Sequence, residues 1–335
     1  MTIHLSLAEV EDLARRCLLA HGADRDNAEA VTRTVTRAER DRAVSHGLFR
    51  LPGYVASLRS GKVDGKARPT VERIAPGIVR VDGQNGFAPL ALEVGREPLI
   101  EAARQQGVAA LALVRSFHFA ALWPEVEALA EAGLAALACT AYKPVVAPVG
   151  AKQAWFGTNP LAFAWPRDNQ PPYVFDMATS AMARGEIQVA ARDGHAVPLG
   201  VGLDSAGAPT TDPNAILQGG VQLPFGGYKG SAIMTMVELL CAGLVGERFS
   251  DEAGRLDVAD GGPARGGEFL LALDPAKFGD ADWQRHSGGW LERLAALEGV
   301  RLPGDRRYRA RSETPTTGIA IPVALHEELL ALAAG

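Results

Sequence analysis

The chain has 335 residues, 47% of them hydrophobic, with a mean hydropathy near zero, enough for two or three cores or one large interleaved domain. Thirty-four basic against 39 acidic residues leave a formal charge of −5 and no basic tract, which argues against nucleic acid as the main partner and against a polybasic membrane anchor. Met1-Thr2-Ile3-His4-Leu5 lacks the charged start and apolar core of a signal peptide, and no apolar run reaches membrane-spanning length, so a cytoplasmic setting is expected.

Ser6-Leu7-Ala8-Glu9 reads as a capping box opening an amphipathic helix that carries Val10, Leu13, Cys17 and Leu18 and stops at Gly22. A second helix is predicted from about Asp26 to Arg42, and a third over Leu48 to Leu58, ended by Gly61. From Pro69 the pattern changes. Val71 to Val81 reads as extended segments broken at Pro76-Gly77, with a turn at Gly83 and Gly86, then a helix from Leu90 to Gln106. Strands follow at Val108 to Val114 and Leu134 to Cys139, around a helix from Trp123 to Ala132. Short strands are expected at Ala162 to Trp165, at Tyr173 to Met177 and around Ile187. A helix over Ser231 to Val245, a surface loop over Phe249 to Gly267, a strand at Phe269 to Leu273 and a helix from Pro322 to Ala334 complete the chain. The fold class is therefore mixed α/β, with a helical N-terminal part.

Ser45-His46-Gly47-Leu48-Phe49-Arg50 is the most chemically suggestive stretch. If it is helical past Gly47, His46 and Arg50 project from one face. A proton carrier beside a carboxylate clamp suits reduction of a 2-oxo or 2-imino acid, because arginine grips a carboxylate through two parallel hydrogen bonds and histidine moves a proton near neutral pH. A helix with a surface histidine and a solvated arginine accounts for the same residues.

Several common devices are missing. No GxGxxG stands between a strand and a helix, no GxSxG is present, and the seven histidines show no metal-ligand spacing, so no metal is expected. The three cysteines, Cys17, Cys139 and Cys241, are distant in sequence and read as small buried hydrophobes. Phe225-Gly226-Gly227-Tyr228-Lys229-Gly230-Ser231 has tyrosine where a Walker loop needs glycine. A glycine turn carrying one lysine into a helix is either an anion seat or an ordinary tight turn.

Five blocks occur in one order: Ser45-His46-Gly47 with Arg50, Phe156-Gly157-Thr158-Asn159-Pro160, Phe175-Asp176-Met177-Ala178-Thr179-Ser180, Pro209-Thr210-Thr211-Asp212-Pro213 and Phe225 to Gly230. Together they resemble the malate/L-lactate dehydrogenase-like family of NAD(P)H-dependent oxidoreductases, from about Ser6 to Ile321. The block His118-Phe119-Ala120-Ala121-Leu122-Trp123-Pro124-Glu125 is similar to that of its ketimine-reductase branch, the Δ1-piperideine-2-carboxylate/Δ1-pyrroline-2-carboxylate reductases.

The resemblance implies a non-Rossmann fold whose nucleotide lies on a mainly antiparallel sheet, with the site completed across a homodimer. It implies a catalytic segment over residues 1–115 packing with 285–335, and a nucleotide-binding domain over 116–284. His46 would be the proton donor, with Ser45 and Glu186 as its relay and with Arg50 and Thr158 on the substrate. Glu186 stands where relatives carry aspartate. His118, Phe119, Ala120, Ala121 and Leu122 would line the nucleotide, as would Asp176, Met177 and Ala178, Lys229 and Gly230, and Gly304, Asp305, Arg306 and Arg307. NADPH is the expected cofactor, with NADH less favoured. Arg115 reads either as a 2′-phosphate partner or as a surface charge. The implied reaction reduces Δ1-piperideine-2-carboxylate to L-pipecolate or Δ1-pyrroline-2-carboxylate to L-proline, in amino-acid breakdown. A 2-hydroxy-acid dehydrogenase of malate or lactate type is the nearest alternative, and a catalytically silent nucleotide sensor a more distant one.

Overall fold

Helix α1 (Leu7–Ala20) begins at the expected capping box: the Glu9 N–H donates to Ser6 Oγ at 3.2 Å, and the Ser6 N–H donates to the Glu9 carboxylate at 2.7 Å. The computed structural model describes residues 2–335. Helices α2 (Arg25–Arg40) and α3 (Leu51–Arg59) follow, and their apolar faces close on α1 through Cys17, Leu18, Val31, Val35, Leu51 and Tyr54. The C-terminal helix adds Leu329 to this cluster, and strand Thr2–Leu5 pairs antiparallel with Ile319–Pro322, so both termini are tied into the helical part.

Beside it stands a mixed seven-stranded sheet. Its strands, in chain order, are β1 (Thr70–Ala75), β2 (Ile78–Phe87), β3 (Val108–Phe117), β4 (Ala135–Thr140), β5 (Leu161–Trp165), β6 (Tyr173–Met177) and β7 (Arg265–Leu273). Their spatial order is β1-β2-β3-β7-β4-β5-β6, and β2 with β3 is the one parallel pair, joined by helix α4 (Ala88–Gln106). The other five pairings are antiparallel.

Side chains alternate across β3 with period two. Leu111 and Leu113 enter a core with Val81 and Val79 of β2, Leu92 and Leu99 of α4, and Val126 and Leu129 of α5 (Trp123–Glu131). Val114 joins a second cluster on the opposite face with Cys139, Phe269 and the helix that begins at Tyr228. Helices thus cover both faces of the sheet. Cys139 and Cys241, distant in sequence, meet in this second cluster with their Sγ atoms 3.4 Å apart, both reduced and buried. No helix among the described residues is long and apolar enough to cross a membrane.

Three predicted elements need correction. The segment around Ile187 is helix α6 (Arg184–Asp193), not a strand: Ile187 is its one large buried residue, packing with Val197, Val201 and Ile216, so an isolated β-branched residue stood for a whole element. The stretch from Phe249 to Gly267 contains a helix at Ser250–Arg255 and the start of β7 at Arg265, because Ser250 and Ala253 are buried against the body. At Gly83 to Gly86 the chain does not turn back. Strand β2 runs through to Phe87 with a register shift, its irregularity carried by the positive φ of Gln84 and Asn85. The helix expected from Ser231 starts at Tyr228 as α7 (Tyr228–Glu238) and continues as a π-helical turn over Leu239–Leu244.

Candidate active site

Residues 44–50 are not one helix. They form two short 3-10 turns, Val44–His46 and Leu48–Arg50, separated at Gly47. The break traces to Glu39 at the end of α2. Its side chain is buried, and Oε1 accepts the Leu48 N–H at 2.7 Å. The same carboxyl fills the place of a Cβ on Gly47, so glycine is required here by close approach, its φ of −88° being ordinary. Burial pushes the Glu39 carboxyl up to about 7, against the pull of the Leu48 N–H. The signal for Glu39 was present in the sequence: it lies four residues after Val35, on the apolar face of α2.

The break still leaves the expected groups together. Ser45 Oγ and His46 Nδ1 are hydrogen-bonded at 3.0 Å, and Arg50 Nε donates to the Ser45 carbonyl at 2.6 Å. The Arg50 guanidinium lies 4.8 Å from the Phe119 ring centroid, and Nη1 reaches Gln188 Oε1 at 3.4 Å. No carboxylate pairs with it among the described residues. Burial lowers its proton affinity, and the nearby Arg184 lowers it further.

His46 is half-buried, with the edge of Trp123 against it at 6.2 Å between ring centroids. Burial first, then Arg50, then His118 push its imidazole down to about 3. In the free chain it is therefore neutral at pH 7, whereas the family resemblance implies a proton donor with Ser45 and Glu186 as its relay. Glu186 lies in the first turn of α6, exposed, and no hydrogen bond joins it to Ser45 or His46. Its neighbour Gly185 makes the contact instead: a Cβ there would lie 2.8 Å from Ser45 Cβ and 3.1 Å from Arg50 Nη2.

The second imidazole of the site, His118, is shifted the other way. Burial acts to discharge it, but Glu268 outweighs burial at 2.9 Å from Nδ1, and the net direction is up. Glu268 stands just after a register shift in β7, buried, with Oε1 unpartnered. Nothing in the sequence pattern singles it out. Phe119, Ala120, Ala121 and Leu122 are buried between β3 and α5, with Ala120 held at φ +60°. Asp176 at the end of β6 caps α5, its Oδ2 accepting the N–H groups of Leu122 at 2.9 Å and Trp123 at 3.0 Å. Burial raises the Asp176 carboxyl to about 6 against those bonds and the charge of Arg307.

Arg307 comes from α8 (Asp305–Thr317). It donates to the Val174 carbonyl at 3.1 Å and stacks 5.5 Å over Trp123. Gly304 precedes it at φ +94°, Asp305 accepts the Leu302 N–H at 3.1 Å, and Arg306 is exposed. Arg311 of α8 clamps the arrangement, reaching Asp41 at 2.7 Å and Glu127 at 2.8 Å, while Trp123 Nε1 also donates to Asp41. The three segments around His46 are thus held by one buried ionic network, whose members the sequence does not single out.

Met177 is exposed and Ala178 half-buried beside Asp176. Thr158 uses its carbonyl to accept the Thr179 N–H at 2.9 Å, which ties the two expected blocks together. Lys229 is exposed and unpaired at the start of α7, and Gly230 is buried against the Phe225 backbone. No hydrogen bond links this turn to the Ser45-His46 segment. Arg115 is engaged elsewhere, by Asp82 through Nε at 2.7 Å and by a second bond from Nη2.

The profile of a family described as malate/L-lactate dehydrogenase matches residues 5–330. The Δ1-pyrroline-2-carboxylate reductase of Ancylobacter novellus is 49% identical over 333 residues, covering 98% of this chain and 97% of that protein. A Δ1-pyrroline-2-carboxylate/Δ1-piperideine-2-carboxylate reductase from Pseudomonas aeruginosa is 48% identical over 98% of this chain and 99% of its own length. The crystal structure of Δ1-piperideine-2-carboxylate reductase from Pseudomonas syringae pv. tomato superposes with a TM-score of 0.93 at 46% identity, over 99% of this chain and 100% of that one.

Two outcomes follow from the geometry. Gly47→Ala forces a methyl group into the Glu39 carboxyl and should cost about 1–3 kcal/mol of stability. Adding Glu39→Ala should return part of that loss, and thermal melting that shows simple additivity would refute the steric account. The second concerns His46, held at about 3 when folded against an ordinary 6.5, so that the folded form binds fewer protons than the unfolded chain between those values. Its contribution to stability is complete above pH 6.5 and is lost as pH falls towards 3. His46→Gln should flatten the acid-side decline in urea unfolding, and an unchanged slope would contradict the neutral ring.

Proposed function

The chain belongs to the malate/L-lactate dehydrogenase family, and on that footing we propose that it reduces cyclic ketimine carboxylates, Δ1-pyrroline-2-carboxylate and Δ1-piperideine-2-carboxylate, to L-proline and L-pipecolate. The observation that carries the reading is Arg50: a desolvated guanidinium with no carboxylate of its own, anchored on the carbonyl of Ser45 and adjacent to an imidazole. The names of the relatives, reductases of cyclic imino acids, favour this over a 2-hydroxy-acid substrate.

Arg50 pairs with the substrate carboxylate through two N–H groups and so fixes the position of C2. The same pairing offsets one of the two cationic neighbours that keep His46 neutral, so the ring gains proton affinity when substrate is present. Nε2, the nitrogen Ser45 does not engage, then donates a proton to the imine nitrogen, a contribution of about 10²–10⁴-fold for general-acid catalysis. Ser45 orients the ring, and Glu186 joins the relay by turning inward across Gly185. Thr158 lies on the substrate side. A nicotinamide nucleotide, when bound, supplies the hydride that C2 accepts.

The residues present fit such a nucleotide. Arg307 Nε is buried without a partner, Lys229 is an unpaired cation at a glycine turn, and Ala120 is held in a strained conformation two residues from His118. We assign the nucleotide to segment 118–122, Asp176 to Ala178, Lys229-Gly230 and residues 304–307, on a non-Rossmann and mainly antiparallel frame. NADPH is preferred to NADH. Residues 116–284 supply most of this surface, 1–115 carry the catalytic turn, and 285–335 pack with them and add residues 304–307. A second copy of the chain covers the apolar side of α7 and its extension, where Tyr228, Met236, Leu239 and Leu244 are exposed.

Wild-type enzyme with NADPH should turn over both cyclic ketimines far faster than pyruvate or oxaloacetate, and the reverse preference would make it a 2-hydroxy-acid dehydrogenase. His46→Ala should abolish turnover while nucleotide still binds. Arg50→Met should lose about 10–100-fold or more in kcat/KM, mostly through KM, and wild-type kinetics in either variant would remove that assignment. Sedimentation equilibrium should give twice the 35.3 kDa chain mass, and a monomer at assay concentration would rule out the dimer.

A further inference from the structure

Arg184 is the second cation of this cleft that lacks an anion. It is the first residue of α6, half-buried, and its one hydrogen bond is a long one, Nη1 to Gln222 Oε1 at 3.3 Å. Gln222 is fully buried and its Nε2 donates to the Met182 carbonyl at 2.9 Å, so its oxygen is turned towards Arg184 by construction. Burial lowers the proton affinity of Arg184, as it does that of Arg50.

Other part-buried arginines find a backbone carbonyl, as Arg80 and Arg307 do at 3.2 and 3.1 Å, or a carboxylate. Arg265 pairs with Glu247 at 2.8 Å, and Arg311 with Asp41 and Glu127 at 2.7 and 2.8 Å. Arg50 meets the Ser45 carbonyl at 2.6 Å and Gln188 Oε1 at 3.4 Å, Arg184 meets Gln222 Oε1 at 3.3 Å, all neutral oxygens, and the nearby Arg184 disfavours the charge on Arg50. Keeping two desolvated charges together without a counter-ion is unfavourable for the fold alone. The chain brings them together through Gly185, whose missing side chain lets the start of α6 rest on Ser45 and Arg50. That is the arrangement of a site waiting for an anion.

We infer that Arg184 is the second arm of the substrate seat, so that one planar carboxylate is held between Arg50 and Arg184. This rests on the reading of Arg50 as the carboxylate clamp. The ligand class is a small ring or chain bearing a carboxylate next to the reacting carbon. Arg50 orients it from the His46 side and Arg184 from the α6 side, with Gln222 holding the Arg184 side chain in place. Arg184 is thereby a determinant of affinity, while the proton is handled at His46.

The probes are furan-2-carboxylate, a planar and non-reducible monocarboxylate, and furan-2,5-dicarboxylate, each titrated calorimetrically into nucleotide-loaded enzyme. Arg184→Gln should weaken the monocarboxylate about 10–100-fold, the loss expected for a hydrogen bond to a charged group. Arg184→Lys, which keeps the charge but not the fork, should fall between. KM for ketimine should rise more than kcat falls, nucleotide affinity should not change, and the melting temperature of Arg184→Gln should not drop. Unchanged carboxylate affinity, or a loss confined to nucleotide, would overturn the inference. So would a larger loss for the dicarboxylate than for the monocarboxylate, because Arg184 would then hold a separate acidic group. If wild-type enzyme fails to reduce ketimines but these binding results hold, the proposed reaction is wrong and the seat stands.

Discussion

One hydrogen bond sets the geometry on which the site depends: the Leu48 N–H to a buried carboxyl of Glu39 at 2.7 Å. The carboxyl lies where a side chain on residue 47 would be, so the chain must pass as glycine and must break its helix there. Two tight turns result instead of one helix, and they turn Ser45, His46 and Arg50 towards the space between α6 and segment 118–122. Had residues 44–59 formed one continuous helix, Leu48 N–H would be satisfied within it and Glu39 would be a buried charge without a donor, which is costly. The break and the buried acid therefore require each other.

A second constraint is electrostatic. Arg50 and Arg184 are both desolvated and both without carboxylates, and they sit beside a histidine that is neutral because of its surroundings. A few residues away the protein does the opposite, pairing His118 with Glu268 and Arg311 with Asp41 and Glu127. On the proposed reading a ligand carboxylate would complete the set and raise the proton affinity of His46, so that binding and readiness for chemistry would be a single event.

Much of this was legible in the sequence, and the failures have physical reasons. The capping box at Ser6, the hairpin around Pro76-Gly77 and the block order that carries the family resemblance are local signals, and local signals survive without a structure. Helix α6 was missed because a four-residue window around Ile187 shows one apolar residue and no period. His46 and Arg50 do lie close together, but through another geometry than the expected helix, since the spacing of a helical turn and the spacing across two 3-10 turns look alike in sequence. Glu268 and Arg184 could not be found that way: the first depends on a register shift in β7, and the second on the absence of a partner, which no sequence displays.

The most direct test of this account follows the His46 ring itself by NMR of histidine-labelled protein, titrated with pH in the free state and again with a saturating planar carboxylate. In the free protein the His46 signal should stay neutral from pH 8 down to the acid limit of the fold, and with ligand its titration should move up towards the ordinary histidine range near 6.5. A ring that titrates near 6.5 without ligand, or one whose titration ignores the carboxylate, would contradict the coupling on which the account rests.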